Sequence, residues 1–260
     1  MTALHTTPDA SDGALQAPSY GKALFALNAL VAWIAVTLSL TLNLTGYYVA
    51  DANPAKPTIL GNVAAGIDTP WERFFDWTTY FTILSNIVVA VVMTMLVVKP
   101  RLFTRRDGVG TLWRTLRLDS LLMIVITGVV YNLMLAEGGK TGWDLVSNSL
   151  LHWIVPLLTP IIWILAGPRG LFSARVIPLS LVLPLIWASY ALIRGQAVGA
   201  YPYPFLDVSA NGLASVLTFI GAILVVAVVL ALILWAVDAG LRWTLRGSAA
   251  AEPLPDAAAD

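Results

Sequence analysis

There is no cysteine among the 260 residues. That removes disulfides, thiol nucleophiles and zinc–thiolate sites together, and leaves the redox compartment unreadable. Charge is scarce as well. Asp, Glu, Lys and Arg make up 12% of the chain, against roughly 25% in soluble domains, which excludes an ordinary globular protein. The two signs balance at 15 each, so no excess points to a nucleic acid partner. Histidine is scarcer still: His5 stands in a polar leading segment, and His152 is the only other. One internal imidazole cannot build a histidine-cluster metal site, and no metal or other cofactor is expected.

Long apolar runs take the place of charge. Hydrophobic residues make up 58% of the chain, and six stretches approach the length of about 20 residues that crosses a bilayer. The first, Ala23 to Leu44, exceeds the signal-peptide core of about 7–15 residues and lacks a small-x-small cleavage pattern, so it reads as a retained span. The others are Asp76 to Val98, Asp119 to Ala136, Asn148 to Ala166, Val176 to Ile193 and Leu213 to Val237. The fifth contains Pro178 and Pro184 and is expected to bend. Between them lie a long loop from Gly46 to Arg73, a basic loop over 99–117, and the tight turn Glu137-Gly138-Gly139-Lys140. Residues 1–20 and 247–260 read as disordered tails around a transmembrane domain of 21–246. No internal repeat is visible, so an inverted-repeat transporter gains no support. The fold class is all-α: a polytopic membrane protein built as a six-helix transmembrane bundle.

Six spans put both termini on one side of the membrane. With the termini inside, the inner segments hold eleven Lys and Arg residues, six of them between Lys99 and Arg117, and the outer segments hold four. The positive-inside rule therefore makes both termini cytoplasmic. Asp119 and Asp238 then fall near the inner span ends, where they are expected to reach water.

His152 lies inside the fourth run, four residues before Pro156. In a helix Pro156 cannot supply the N–H that bonds the His152 carbonyl. An ionisable side chain within a span is a functional-site hypothesis by default. In this orientation His152 sits roughly 6 Å, and Thr82 of the second span roughly 9 Å, from the outer boundary at a rise of 1.5 Å per residue. Ser85 and Asn86 follow Thr82 on the same helix face. Tyr131 and Asn132 end the third span at a similar height, and Asn148 precedes His152 by one turn. Hydroxyl, imidazole and carboxamide groups from three spans thus gather in the outer half. Helix glue is the plainer explanation, since such groups commonly bond across membrane helices for about 0.6 kcal/mol each.

Three stretches occur in order: Tyr80-Phe81-Thr82-Ile83, then Asn148-Ser149-Leu150-Leu151-His152 with Pro156, then Tyr203-Pro204-Phe205-Leu206-Asp207. Together they resemble the androgen-induced gene 1 product-like family of six-span membrane proteins, which includes bacterial members. The resemblance covers roughly residues 20–240, while the 46–73 loop and the tail depart from it. It implies a threonine hydrolase of fatty acid esters of hydroxy fatty acids, with Thr82 as catalytic threonine and His152 as catalytic histidine. It also implies a bacterial plasma-membrane location. Such a pair makes chemical sense, because a threonine hydroxyl needs a base to take its proton and neutral imidazole suits that task. No carboxylate is placed to complete a triad, so Asn148 or a backbone carbonyl has to orient the ring. Asn86, Asn132 or Tyr131 could donate to the oxyanion.

Two readings stand side by side. One is an integral-membrane lipid-ester hydrolase using a Thr82–His152 dyad in the outer-leaflet half, its partner a membrane lipid or fatty-acid ester. The other is a non-enzymatic bundle that binds lipid or transports a small solute, whose polar layer binds rather than cleaves.

Overall fold

Backbone groups in a bilayer have no partner but their own helix, so each helix starts and stops at particular capping or breaking residues. The structure, a computed structural model, describes residues 20–48, 59–60, 69–136 and 140–250. Residues 1–19 and 251–260 of the predicted tails (1–20 and 247–260), most of the long loop, and residues 137–139 of the tight turn lie outside them. Among the described residues, six helices are long and apolar enough to span a membrane: α1 (Gly21–Leu44), α3 (Phe81–Val98), α4 (Gly108–Leu135), α5 (Gly142–Ala166), α6 (Val176–Val198) and α7 (Leu213–Thr244). A shorter helix, α2 (Pro70–Thr79), precedes the second of them. The protein is an all-α, six-helix integral membrane bundle. α1 packs most extensively on α3, and α3 on α4. The core between them is filled by Ala32, Ala35, Val89, Met93, Leu121 and Leu122. α6 and α7 are the least enclosed.

The bundle has two distinct ends. At the basic end, which carries 99–107, the Tyr20 hydroxyl donates to Leu165 O (3.3 Å), Arg117 donates to Gly167 O (3.3 Å), and Gly170 N donates to Asp238 (2.8 Å). At the far end Arg73 donates to Leu44 O (3.1 Å), and Arg194 of α6 pairs with Asp76 of α2. The Trp77 indole donates to Ser39 Oγ (3.1 Å) and the Trp187 indole to Thr79 O (2.9 Å), so α2 is strapped across the ends of α1 and α6.

Several boundaries differ from the sequence reading. The second span begins at Phe81 rather than Asp76, because Tyr80 is extended (φ −77°, ψ 127°) and separates it from α2. α2 has its own start: Pro70 opens it, and Thr69 and Glu72 satisfy each other's backbone N–H in a capping box. The third span begins at Gly108, not Asp119, so the basic loop is only 99–107. Asp107 caps it by accepting from Gly110 N (3.0 Å), and Arg114 donates to Phe103 O (3.2 Å) and Arg105 O (2.7 Å). Two arginines read as loop charges thus lie within the helix, and Arg117 is fully buried. Asp119 and Asp238 do not reach water; each is 1% exposed. The fourth span starts at Gly142, earlier than Asn148. The last helix runs on to Ala250, past Gly247 where the tail was expected, since alanine is the best helix former and one glycine costs only about 1 kcal/mol. The fifth span is interrupted at Ser180–Leu181. Pro184 lacks the N–H that would hold the Ser180 carbonyl, so the break lies where the prolines weaken the helix.

Gly128 lets α4 and α5 approach closely: a Cβ there would come within 2.9 Å of Pro156 Cβ. Gly128→Val is therefore expected to lower stability by about 1–3 kcal/mol through overpacking, read as a lower Tm in detergent. Gly221→Ala is the control, because its Cβ would enter open space, and it is expected to leave the Tm unchanged or slightly raised.

Candidate active site

Two wide helical turns face each other at the far end. In α4 the last turn, Tyr131–Leu135, closes with i→i+5 bonds, Ala136 N donating to Tyr131 O (2.8 Å). In α5 the same widening occurs over Leu150–Ile154, with Val155 N reaching Leu150 O. Pro156 lies just beyond, so the ordinary i→i+4 ladder is interrupted there in any case. Such π turns insert one extra residue into a helix and re-aim the side chains around it. Here they bring the Tyr131 and His152 rings together, stacked with centroids 3.8 Å apart and planes 18° from parallel.

The stacked imidazole is fixed at both nitrogens. Nδ1 lies 3.1 Å from the backbone carbonyl of Asn148. A carbonyl only accepts, so Nδ1 carries the proton and Nε2 keeps its lone pair. Nε2 lies 3.3 Å from Thr82 Oγ1. The ring is thus oriented by the Asn148 backbone and not by its carboxamide, settling between the alternatives left open by the sequence. No carboxylate among the described residues bonds the ring.

Thr82 is the second residue of α3. Its amide is one of the N–H groups that a helix start leaves without an intrahelical acceptor, and it donates to the Tyr203 hydroxyl at 3.3 Å. That hydroxyl is also 3.4 Å from Thr82 Oγ1. With one proton on each oxygen the directions are determined. Thr82 N–H donates to Tyr203, the Tyr203 O–H donates to Thr82 Oγ1, the Thr82 O–H donates to His152 Nε2, and His152 Nδ1–H donates to Asn148 O. Burial pushes the Tyr203 phenol above its ordinary value, opposed by its bonds with Thr82, so it remains a protonated donor at neutral pH.

Tyr203 was singled out in a motif but not as a site residue. It belongs to a loop that folds back onto the end of the bundle. Its ring stacks on Phe205 (5.1 Å) and meets Tyr80 edge-on (5.9 Å). Asp207 accepts from Ser209 N (3.0 Å) and Ala210 N (3.1 Å) to cap the short helix Val208–Asn211, and Asn211 returns a bond to Pro204 O (2.8 Å). Leu60 N donates to Tyr201 O (2.9 Å), and the Tyr80 hydroxyl donates to Leu60 O (3.2 Å), tying the long loop to the same corner. The density of aromatic and proline residues over 201–205 was the available signal.

The two asparagines have other employment. The Asn86 carboxamide donates to Thr82 O (2.8 Å) and Leu151 O (3.3 Å), using both of its hydrogens to tie α3 to α5. Asn132 donates to Gly128 O (2.7 Å) within its own helix. Ser85 bonds Thr127 Oγ1 (2.8 Å). Asn86 therefore cannot serve as an oxyanion donor as arranged, and Asn132 does not line the cavity beside Thr82. That cavity, of about 80 Å³, lies among α3, α4, α6, α7 and the 204–206 turn. Thr82, Tyr131 and Tyr203 stand on its wall, with His152 set behind them.

A threonine hydroxyl, a neutral imidazole with a free lone pair, and a phenol donor converging on an apolar cavity can perform nucleophilic acyl transfer. Comparison of the chain with protein-family models, curated proteins and solved structures returns no match.

Proposed function

We propose that the protein is an integral-membrane hydrolase of lipid esters, of the fatty acid ester of hydroxy fatty acid type. Thr82 is its nucleophile and His152 its general base. The observation that carries this reading is the 3.3 Å contact between Thr82 Oγ1 and the unprotonated Nε2 of a ring held through Nδ1. In the first step Thr82 Oγ1 attacks the ester carbonyl carbon and its proton passes to His152 Nε2. The Tyr203 hydroxyl, released from Thr82 Oγ1, donates to the carbonyl oxygen as it becomes an oxyanion. Collapse breaks the ester C–O bond, and the departing alcohol takes the proton from His152, leaving an acyl-threonine. Water then attacks this second ester, gives a proton to His152, and the fatty acid leaves as Thr82 recovers the proton. Atoms balance with water as the only co-substrate.

The basic asymmetry supports cytoplasmic termini, which puts this end of the bundle in the outer leaflet half; the bacterial plasma membrane is what the family resemblance implies. Single cysteines introduced into 99–107 are expected to resist a membrane-impermeant thiol reagent in intact cells, and cysteines at the exposed positions Ala197 and Ala210 of the far end to react. No native thiol competes. Labelling of 99–107 from outside overturns the topology.

A covalent adduct tests the chemistry. A fluorophosphonate ester-hydrolase probe is expected to modify Thr82 in the purified protein, and to fail when His152 is alanine. A folded protein with no adduct at Thr82 favours the non-enzymatic reading, in which the same cavity only binds lipid. The apolar wall already disfavours a small polar solute as cargo.

A further inference from the structure

We infer that the cavity beside Thr82 is an acyl-chain groove, which takes the unbranched fatty acyl part of the substrate and measures its length at a floor made by Ile126, Pro184 and Ala227. This rests on the hydrolase reading for the position of the ester carbonyl.

The wall follows the bundle axis. On α7 it runs from Phe219 to Ala227, eight residues or roughly 12 Å at 1.5 Å per residue. On α4 it runs from Ile126 to Leu135, and the two helices are traversed in opposite directions, so Phe219 and Leu135 lie near the site while Ala227 and Ile126 lie deepest. Pro184 is likewise the innermost contributor from α6. About 80 Å³ spread over that length is narrow, and it suits one extended chain rather than a ring system or a branched group.

Polarity is arranged the same way. Two polar side chains along the wall are tied elsewhere: Thr127 Oγ1 to Ser85 (2.8 Å) and the Trp187 indole to Thr79 O (2.9 Å). The hydroxyls of Thr82 and Tyr203 stand together at the end where an ester carbonyl belongs. A ligand polar at one end and apolar along its length matches this wall, and a fatty acyl ester is such a ligand. The bilayer is as apolar as the groove, so the chain gains little by transfer. What the groove supplies is alignment of the carbonyl with Thr82, and it selects by what fits. Ala227 is 3% exposed and has the smallest side chain of the floor residues, so its size sets the length.

The test uses full-length purified protein and esters of one alcohol, with acyl groups from butanoyl to octadecanoyl. Ala227→Leu is expected to lower the ratio of long-chain to short-chain kcat/KM by about tenfold or more, and Ile126→Ala to raise it, the scale expected when a hydrophobic pocket loses or gains a methylene or more. A uniform fall across the series is what simple destabilisation produces and overturns the length-measuring floor. Binding is read separately in Thr82→Val with decanoic acid carrying a diazirine at its terminal carbon, a chain whose extended length matches the groove. Labels on peptides spanning 219–227 or 126–135, competed by unlabelled decanoic acid, support the groove. Labels confined to other helices overturn it even where turnover is normal. Labelling at these peptides in a wild-type protein without turnover keeps the groove and defeats the hydrolase reading instead.

Discussion

Thr82→Val is expected to abolish ester turnover, by about 10⁴-fold or more, in a protein that still folds. Valine keeps the shape of threonine at a position that is 8% exposed, so the packing between α3 and the Tyr203 loop survives. What disappears is the one oxygen that both donates to His152 Nε2 and accepts from Tyr203. His152→Ala removes the base and is expected to cost as much. If the two act as one unit, the double variant is no worse than either single. Thr82→Ser keeps the hydroxyl and retains part of the activity. Helix glue gives a different ranking: valine is then tolerated, and any functional loss follows stability. The stability change itself is small, since one interhelical hydrogen bond costs under about 2 kcal/mol. Turnover and Tm measured on the same detergent-purified samples separate the two accounts. Turnover like wild type in well-folded Thr82→Val ends the assignment at this residue.

Hydropathy locates all six spans because a bilayer tolerates few alternatives to a continuous apolar helix, and that constraint is visible residue by residue. Where a helix starts is another matter. Arg114 and Arg117 look like loop charges, yet both lie in α4, their guanidinium groups donating to the carbonyls of Phe103, Arg105 and Gly167. Those acceptors are set by how helix ends meet, which no local pattern records. Asp119 and Asp238 were misread for the same reason. In the candidate site the depth argument brings Thr82 and His152 to the same level, but depth leaves helix rotation open. His152 stands in a π turn that has a local cue in Pro156, while the π turn that brings Tyr131 against its ring has none. The oxyanion candidates show the limit most clearly. Asn86 and Asn132 have the right chemistry and height, but both Asn86 hydrogens are committed to nearby carbonyls, and Asn132 bonds Gly128 O and stands off the cavity wall. Tyr203 comes from a loop outside every span, and only tertiary folding brings its hydroxyl to the start of α3.

That placement leads to the second large effect. Tyr203→Phe is expected to lower kcat by about 10² to 10³-fold, the range for loss of one oxyanion donor, with KM changed far less. The reasoning is one of proton supply. Before substrate binds, the Tyr203 O–H rests on Thr82 Oγ1 and accepts from the Thr82 amide. When Thr82 attacks the carbonyl its oxygen becomes part of an ester and a poorer acceptor, while negative charge appears on the neighbouring carbonyl oxygen. The phenol then donates where charge has developed, and the Thr82 amide behind it favours that polarisation. Phenylalanine keeps the stack on Phe205 and the edge contact with Tyr80, so the loop stays in place and the Tm moves little. Burial holds the phenol above its ordinary value. The alkaline limit of activity is therefore not expected to fall below the usual tyrosine range of about 10. Asn132→Ala supplies the contrast: its carboxamide serves the Gly128 carbonyl, and turnover is expected to stay within a few-fold of wild type. A reversed pair, with Tyr203→Phe fully active and Asn132→Ala crippled at normal Tm, returns the oxyanion role to the asparagine and requires α4 to rearrange when the ester binds.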